Sequence, residues 1–225
     1  MYNIEVLQEK IRALLRTDKY QEAYDFCTSE INRITQRVDD VDNLSDEETK
    51  YLAEIYSIIA RITPPQDALK NLNSAINLVG NYAEYYIQRG RVKEELGDLQ
   101  EAFDDYSIAI ANEPRFEAYG YRGSIYLDAG NIEAAIEDFT KSVELNPNYG
   151  GGYINRGRAK YSLNDFEGAI KDYDIAIEQY PDYAYTYGCR ADAKIKLNNL
   201  EGAIADFRKI LELEPENITA KQAIL

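Results

Sequence analysis

Small residues return along this chain every 33 or 34 positions, at Gly90, Gly123, Gly157 and Ala191. A period of that size dictates a stack of similar units, each burying its apolar face against its neighbours, in place of one central core. From Gly90 the frame continues with Ala102, Tyr106, Ala109 and Pro114. It recurs after Gly123 as Ala135, Phe139, Ser142 and Pro147, after Gly157 as Ala169, Tyr173, Ala176 and Pro181, and after Ala191 as Ala203, Phe207, Ile210 and Pro215. A tyrosine stands four residues ahead of each first small residue, at Tyr86, Tyr119, Tyr153 and Tyr187. Within a unit, apolar residues spaced by three and four form two amphipathic stretches, separated by a turn such as Leu96-Gly97-Asp98 or Leu163-Asn164-Asp165. Each unit therefore reads as an antiparallel helix pair closed by a proline. A helical glycine costs about 1 kcal/mol relative to alanine, so Gly90, Gly123 and Gly157 are expected where two helices press together.

This pattern resembles the tetratricopeptide repeat. The resemblance implies an all-α fold, a right-handed superhelix (solenoid) of about six stacked hairpins, four regular and two degenerate. The regular units occupy 83–115, 116–149, 150–183 and 184–217. Ala68 and Ala75 hold the frame one period earlier and place a degenerate unit at 46–82, with Pro64 and Pro65 at its turn. Ala23 holds the same slot forty-five residues before Ala68, in a degenerate hairpin at 1–37. The eleven surplus residues map to 38–48, an acidic linker with six carboxylates that ends at a capping box, Ser45 with Glu48. Residues 218–225 read as a partial capping helix. So short a finish suggests either a piece of a longer protein or an apolar face covered by a second copy, a homodimer.

Composition excludes several functions. There are 40 acidic residues against 25 basic ones, a net charge of −15, and the basic residues are scattered, which argues against nucleic-acid binding. No histidine is present to act as a general base near neutral pH. Glycine-rich phosphate loops, nucleophile elbows and calcium loops are absent, and adjacent carboxylates such as Glu94-Glu95 diverge on a helix. The chain is expected to be no enzyme and to need no cofactor or metal. Cys27 and Cys189 lie far apart without metal-ligand spacing and read as packing thiols. No apolar run is long enough for membrane insertion and no secretory leader opens the chain, so a cytoplasmic protein is expected.

Two sets of polar residues stand out. An arginine precedes each first small residue, and an aspartate follows it sixteen positions later: Arg89 with Asp105, Arg122 with Asp138, Arg156 with Asp172 and Arg190 with Asp206. Those slots face each other across an antiparallel pair, so a repeated structural ion pair is expected. The second set follows from the resemblance, which implies that the first helix of each repeat lines a concave groove that holds a peptide or protein segment. Carried over, the groove residues are Gln88, Arg91, Tyr121, Ser124, Asn155, Arg158, Tyr161 and Tyr185, with Ile154, Cys189, Asp192 and Lys196 in related slots. The early part is acidic and suits a partner with basic residues; the later part carries tyrosines, Asn155 and Arg158. The lysine and asparagine with which chaperone-tail-binding members of the family clamp a carboxylate are replaced by Ile87 and Arg91. The expected function is a non-enzymatic scaffold or adaptor, with self-association or a regulatory module of a larger assembly as the alternatives. Gly150-Gly151-Gly152 opens the third regular repeat as either a hinge or steric relief.

Overall fold

The computed structural model describes residues 3–37 and 43–224. Among them are thirteen α-helices and no strand, and the chain divides after Glu113 into two compact units. The linker expected at 38–48 lies outside the described residues at 38–42, and its last three residues already belong to a helix.

The first unit contains α1 (Ile4–Leu15), α2 (Tyr20–Thr35), α3 (Asp46–Ala60), α4 (Pro65–Leu78), α5 (Ala83–Leu96) and α6 (Leu99–Asn112). Local chemistry fixes the ends. Asn3 caps α1 by accepting from the Val6 amide. At α3 the Ser45 hydroxyl accepts from the Glu48 amide while the Glu48 carboxylate accepts from the Ser45 amide, the reciprocal capping box. Pro65 opens α4 at a position where a missing amide proton removes no bond. The second unit contains α7 (Phe116–Asp128), α8 (Ile132–Leu145), α9 (Gly150–Ser162), α10 (Phe166–Gln179), α11 (Ala184–Lys196), α12 (Leu200–Leu213) and α13 (Ile218–Ala223). Here α7, α9 and α11 each pair with the following helix, α8 packs on α9, and α10 packs on α11. The short α13 buries Ala220 in the cluster formed by Ala184, Tyr187, Ala191, Phe207 and Ile210.

Each regular hairpin turns through one left-handed residue at an equivalent place: Gly97 (φ 87°), Gly130 (φ 78°), Asn164 (φ 62°) and Asn198 (φ 59°). Glycine and asparagine are the residues that enter this region at least cost, so the turn is written into the sequence.

The helical glycines mark close approach. A Cβ on Gly90 would lie 2.6 Å from the Tyr106 ring, on Gly123 2.9 Å from Phe139, and on Gly157 2.6 Å from Tyr173. Each ring is the aromatic sixteen residues later on the second helix, and all three are buried. The three glycines opening α9 are likewise filled space: a Cβ on Gly150 would meet Tyr180 at 2.3 Å, on Gly151 Tyr149 at 3.1 Å, and on Gly152 Val143 at 2.7 Å. Of the two readings of this segment, steric relief is the one the packing supports.

Candidate functional site

The arginine one residue before each small position reaches across its hairpin. Arg156 donates from Nε to Asp172 Oδ2 at 2.9 Å and from Nη2 to Oδ1 at 2.6 Å. The same fork joins Arg89 to Asp105, Arg122 to Asp138 and Arg190 to Asp206. The four aspartates are 5% exposed or less. Hydrogen bonding to the carboxylate is the largest influence raising the pKa of Arg89, Arg122 and Arg156, ahead of the opposing effect of burial. At Arg190 burial is the largest single effect, and the hydrogen bonds and charges of Asp206 and Asp174 together outweigh it. The recurring tyrosines of the frame, Tyr86, Tyr119, Tyr153 and Tyr187, lie under these guanidinium groups at 5.4 to 5.8 Å.

Two further contacts complete the motif and were not expected from the arginine-aspartate spacing. Lys93, Lys160 and Lys194, each one helical turn after its arginine, bind the same carboxylates at 2.9, 2.7 and 2.7 Å. Tyr126 takes this place in the repeat of Arg122. The remaining guanidinium nitrogen reaches back sixteen residues to the preceding hairpin, from Arg89 to Asn73 at 2.7 Å, from Arg156 to Thr140 at 3.4 Å and from Arg190 to Asp174 at 2.6 Å. The periodic arginine-x3-lysine spacing is the sequence signal for the lysines. With their hydrogen bonds directed inward, these groups tie the two helices of each regular repeat together.

The groove residues divide between the two units. In the first, Gln88 and Arg91 meet at a cleft of about 560 Å³ together with Arg61, Thr63, Val92 and Glu95. Arg91 is exposed, but Gln88 is 8% exposed and already engaged. Its carbonyl accepts from the Ser57 hydroxyl at 3.0 Å and its amide donates to Glu84 at 2.8 Å. Gln88 therefore joins α5 to α3 and does not present a free side chain, contrary to the expectation.

In the second unit Tyr121 and Ser124 lie half-buried on α7, where the Ser124 hydroxyl donates to the Gly120 carbonyl of its own helix at 3.1 Å. Ile154 is core, 7% exposed, and is corrected as a groove residue. Arg158, Tyr161 and Tyr185 converge. With Ser162, Tyr173, Cys189 and Asp192 they line a cavity of about 220 Å³ between α9 and α11. Asn155 accepts a hydrogen bond from Arg158 at 3.3 Å, and Tyr161 is fixed edge-on against Phe166 at 5.2 Å. A second cavity of about 500 Å³ shares Tyr185, Cys189 and Asp192 and continues over Phe207, Ile210 and Ala220. Tyr173 and Phe207, residues of the repeat frame, also line these cavities.

Burial dominates the electrostatics here. It raises the pKa of Tyr173, Tyr185 and Cys189, and the Arg158 charge offsets each in part. Burial also pushes the Asp192 carboxyl upward, opposed by Lys196. Among the described residues, no group of histidine, cysteine, aspartate and glutamate could hold a metal ion, and no helix is long and apolar enough to cross a membrane.

Consecutive helix hairpins, three with an aromatic packed on a helical glycine and four with an arginine-aspartate tie, define an α-helical repeat protein. Residues 116–149 and 154–218 match tetratricopeptide repeat models, which identifies this part of the chain as tetratricopeptide repeats. Human tetratricopeptide repeat protein 13 is 36% identical over 81 residues, which is 36% of this chain and 9% of that protein's length. Among solved structures, YrrB, described as a TPR protein with an unusual peptide-binding site, superposes with a TM-score of 0.69 at 18% identity, covering 86% of this chain and 98% of its own. Residues 41 to the end of MamA from Desulfovibrio magneticus RS-1 superpose with a TM-score of 0.66 at 22% identity, covering 74% and 97%. At these identities the two structures establish the shared fold.

Proposed function

We propose that this protein is a non-enzymatic scaffold that holds an extended segment of a partner protein against the first helices of its second unit. The observation that carries the reading is the pair of joined cavities around Tyr185, Cys189 and Asp192, walled by tyrosines and bearing Arg158 at one side. Aromatic rings give a bound chain a large, rigid contact surface with a polar tip, and such shallow adjoining pockets suit successive side chains of an extended peptide. The peptide-binding site named for YrrB agrees with this use of the fold, although fold alone does not assign function.

The test is fluorescence anisotropy with a library of short, unstructured, labelled peptides. Saturable binding that is lost in Tyr161→Ala/Tyr185→Ala, with the melting curve unchanged, supports the reading. Binding that survives this change at full strength places the interaction elsewhere and removes it.

A further inference from the structure

The geometry points to an acidic side chain, carried inside an extended peptide and followed by an apolar residue, as the ligand that the second unit selects. This inference rests on the peptide-binding reading above and adds the chemistry of the segment.

Arg158 is the reason. The arginines of the neighbouring frame, Arg122, Arg156 and Arg190, are each held by a buried aspartate. Arg158, two residues beyond Arg156 and therefore on a different face of α9, is exposed and forms no ion pair among the described residues. Its hydrogen bond goes to the neutral amide of Asn155 at 3.3 Å, at the long end of the range. In a chain where acidic residues outnumber basic ones 40 to 25, a guanidinium that forms no ion pair, even with Asp192 in the lining of the same tyrosine-walled cavity, is available for a carboxylate from outside. Guanidinium and carboxylate match as a planar, two-bonded pair.

The surroundings narrow the anion. One guanidinium beside Asp192 favours a singly charged carboxylate over a phosphate carrying nearly two charges. The adjoining cavity, floored by Phe207, Ile210 and Ala220, is where the neighbouring apolar side chain would sit. Because Tyr185, Cys189 and Asp192 belong to both cavities, a chain can run from one to the other without leaving the surface. That continuity favours an internal acidic residue over a terminal carboxylate.

The experiment measures anisotropy with N-acetylated, C-amidated degenerate peptide pools in which one position is fixed as Glu, Gln, Lys or phosphoserine and the next positions are apolar. A further pool carries a free C-terminal carboxylate in place of the fixed residue. Wild type is expected to bind the Glu pool at least about tenfold more tightly than the Gln pool, the order of effect of one charge-assisted hydrogen-bonded pair. Arg158→Ala abolishes that preference, and Arg158→Glu reverses it towards the Lys pool. Since Arg158 is exposed, both variants should melt with wild type. Equal binding of the Glu and Gln pools, or a preference for Lys, phosphoserine or the free terminus, overturns the inference. If binding is blind to charge yet lost in Tyr161→Ala/Tyr185→Ala, the peptide-binding reading stands and only the acidic selection fails. If no pool binds, both fail.

Discussion

Arg156 and Asp172, sixteen residues apart, are joined by two hydrogen bonds of 2.9 and 2.6 Å, and Lys160 reaches the same carboxylate at 2.7 Å. The carboxylate is 2% exposed, so solvent screens the contact little. Asp172→Ala leaves two cations without their partner and is expected to destabilise by about 3 kcal/mol. Arg156→Ala should cost less, about 2 kcal/mol, because Lys160 still holds the carboxylate. Urea titrations of both single variants and the double variant check this. The double variant should fall short of the sum by about 1 kcal/mol, whereas additive effects would mean that the two side chains act independently.

The repeat that carries Tyr126 in place of the lysine supplies an internal comparison. Asp138 is bound by Arg122 at 2.8 Å without a lysine one turn on. Arg122→Ala should therefore destabilise more than Arg156→Ala, in the same titration. An equal loss would show that the lysines contribute nothing to the tie.

Glycine substitutions should separate by sign. Alanine at Gly157 would place a methyl 2.6 Å from the buried Tyr173 ring, and the lost packing exceeds the helical gain of about 1 kcal/mol. At Gly188 the nearest atom, Ile210 Cδ1, is 3.8 Å away, so alanine fits and should stabilise by up to about 1 kcal/mol. Thermal melts of the two variants test this, and Gly150→Ala, with Tyr180 at 2.3 Å, should follow Gly157→Ala. A stabilised Gly150→Ala would return the glycine segment to the hinge reading.

Alkali should destabilise the first unit. Burial, then the Glu30 charge, pushes the Cys27 thiol from 9.0 up to about 12. Burial, then the hydrogen bond it donates to Glu30, pushes Tyr51 from 10.0 up to about 12. Both groups hold their protons more firmly when folded. Their contribution is complete below the unfolded value and is lost as pH rises from about 9 towards about 12. Urea midpoints should fall across that window, and Cys27→Ala should flatten the slope. An unchanged slope in Cys27→Ala would exclude the thiol as a contributor.

Much of the fold is legible in the sequence because repetition removes ambiguity. A glycine alone says little, but Gly90, Gly123 and Gly157, each sixteen residues before an aromatic, describe one crossing three times. The left-handed turns at Gly97, Gly130, Asn164 and Asn198 are equally plain, since few residues enter that conformation. What escaped the reading was set by tertiary neighbours. Gln88 shares a slot with Tyr121, Asn155 and Cys189, yet Ser57 on α3 and Glu84 take up its amide, which no pattern within its own repeat reveals. The lysines binding Asp105, Asp172 and Asp206 share carboxylates already matched one-to-one by the arginine spacing, so that spacing alone does not reveal them. The floor of the larger cavity is made by α12 and α13, outside the first helices to which the groove had been assigned.

The most direct test of the account compares wild type with Asn155→Ala/Arg158→Ala/Tyr161→Ala by isothermal titration against the tightest peptide from the library, after their melting curves are shown to agree. Wild type is expected to form a saturable one-to-one complex, and the triple variant to lose at least about tenfold in affinity. Equal affinity in the two proteins, or association of the chain only with itself, would contradict it.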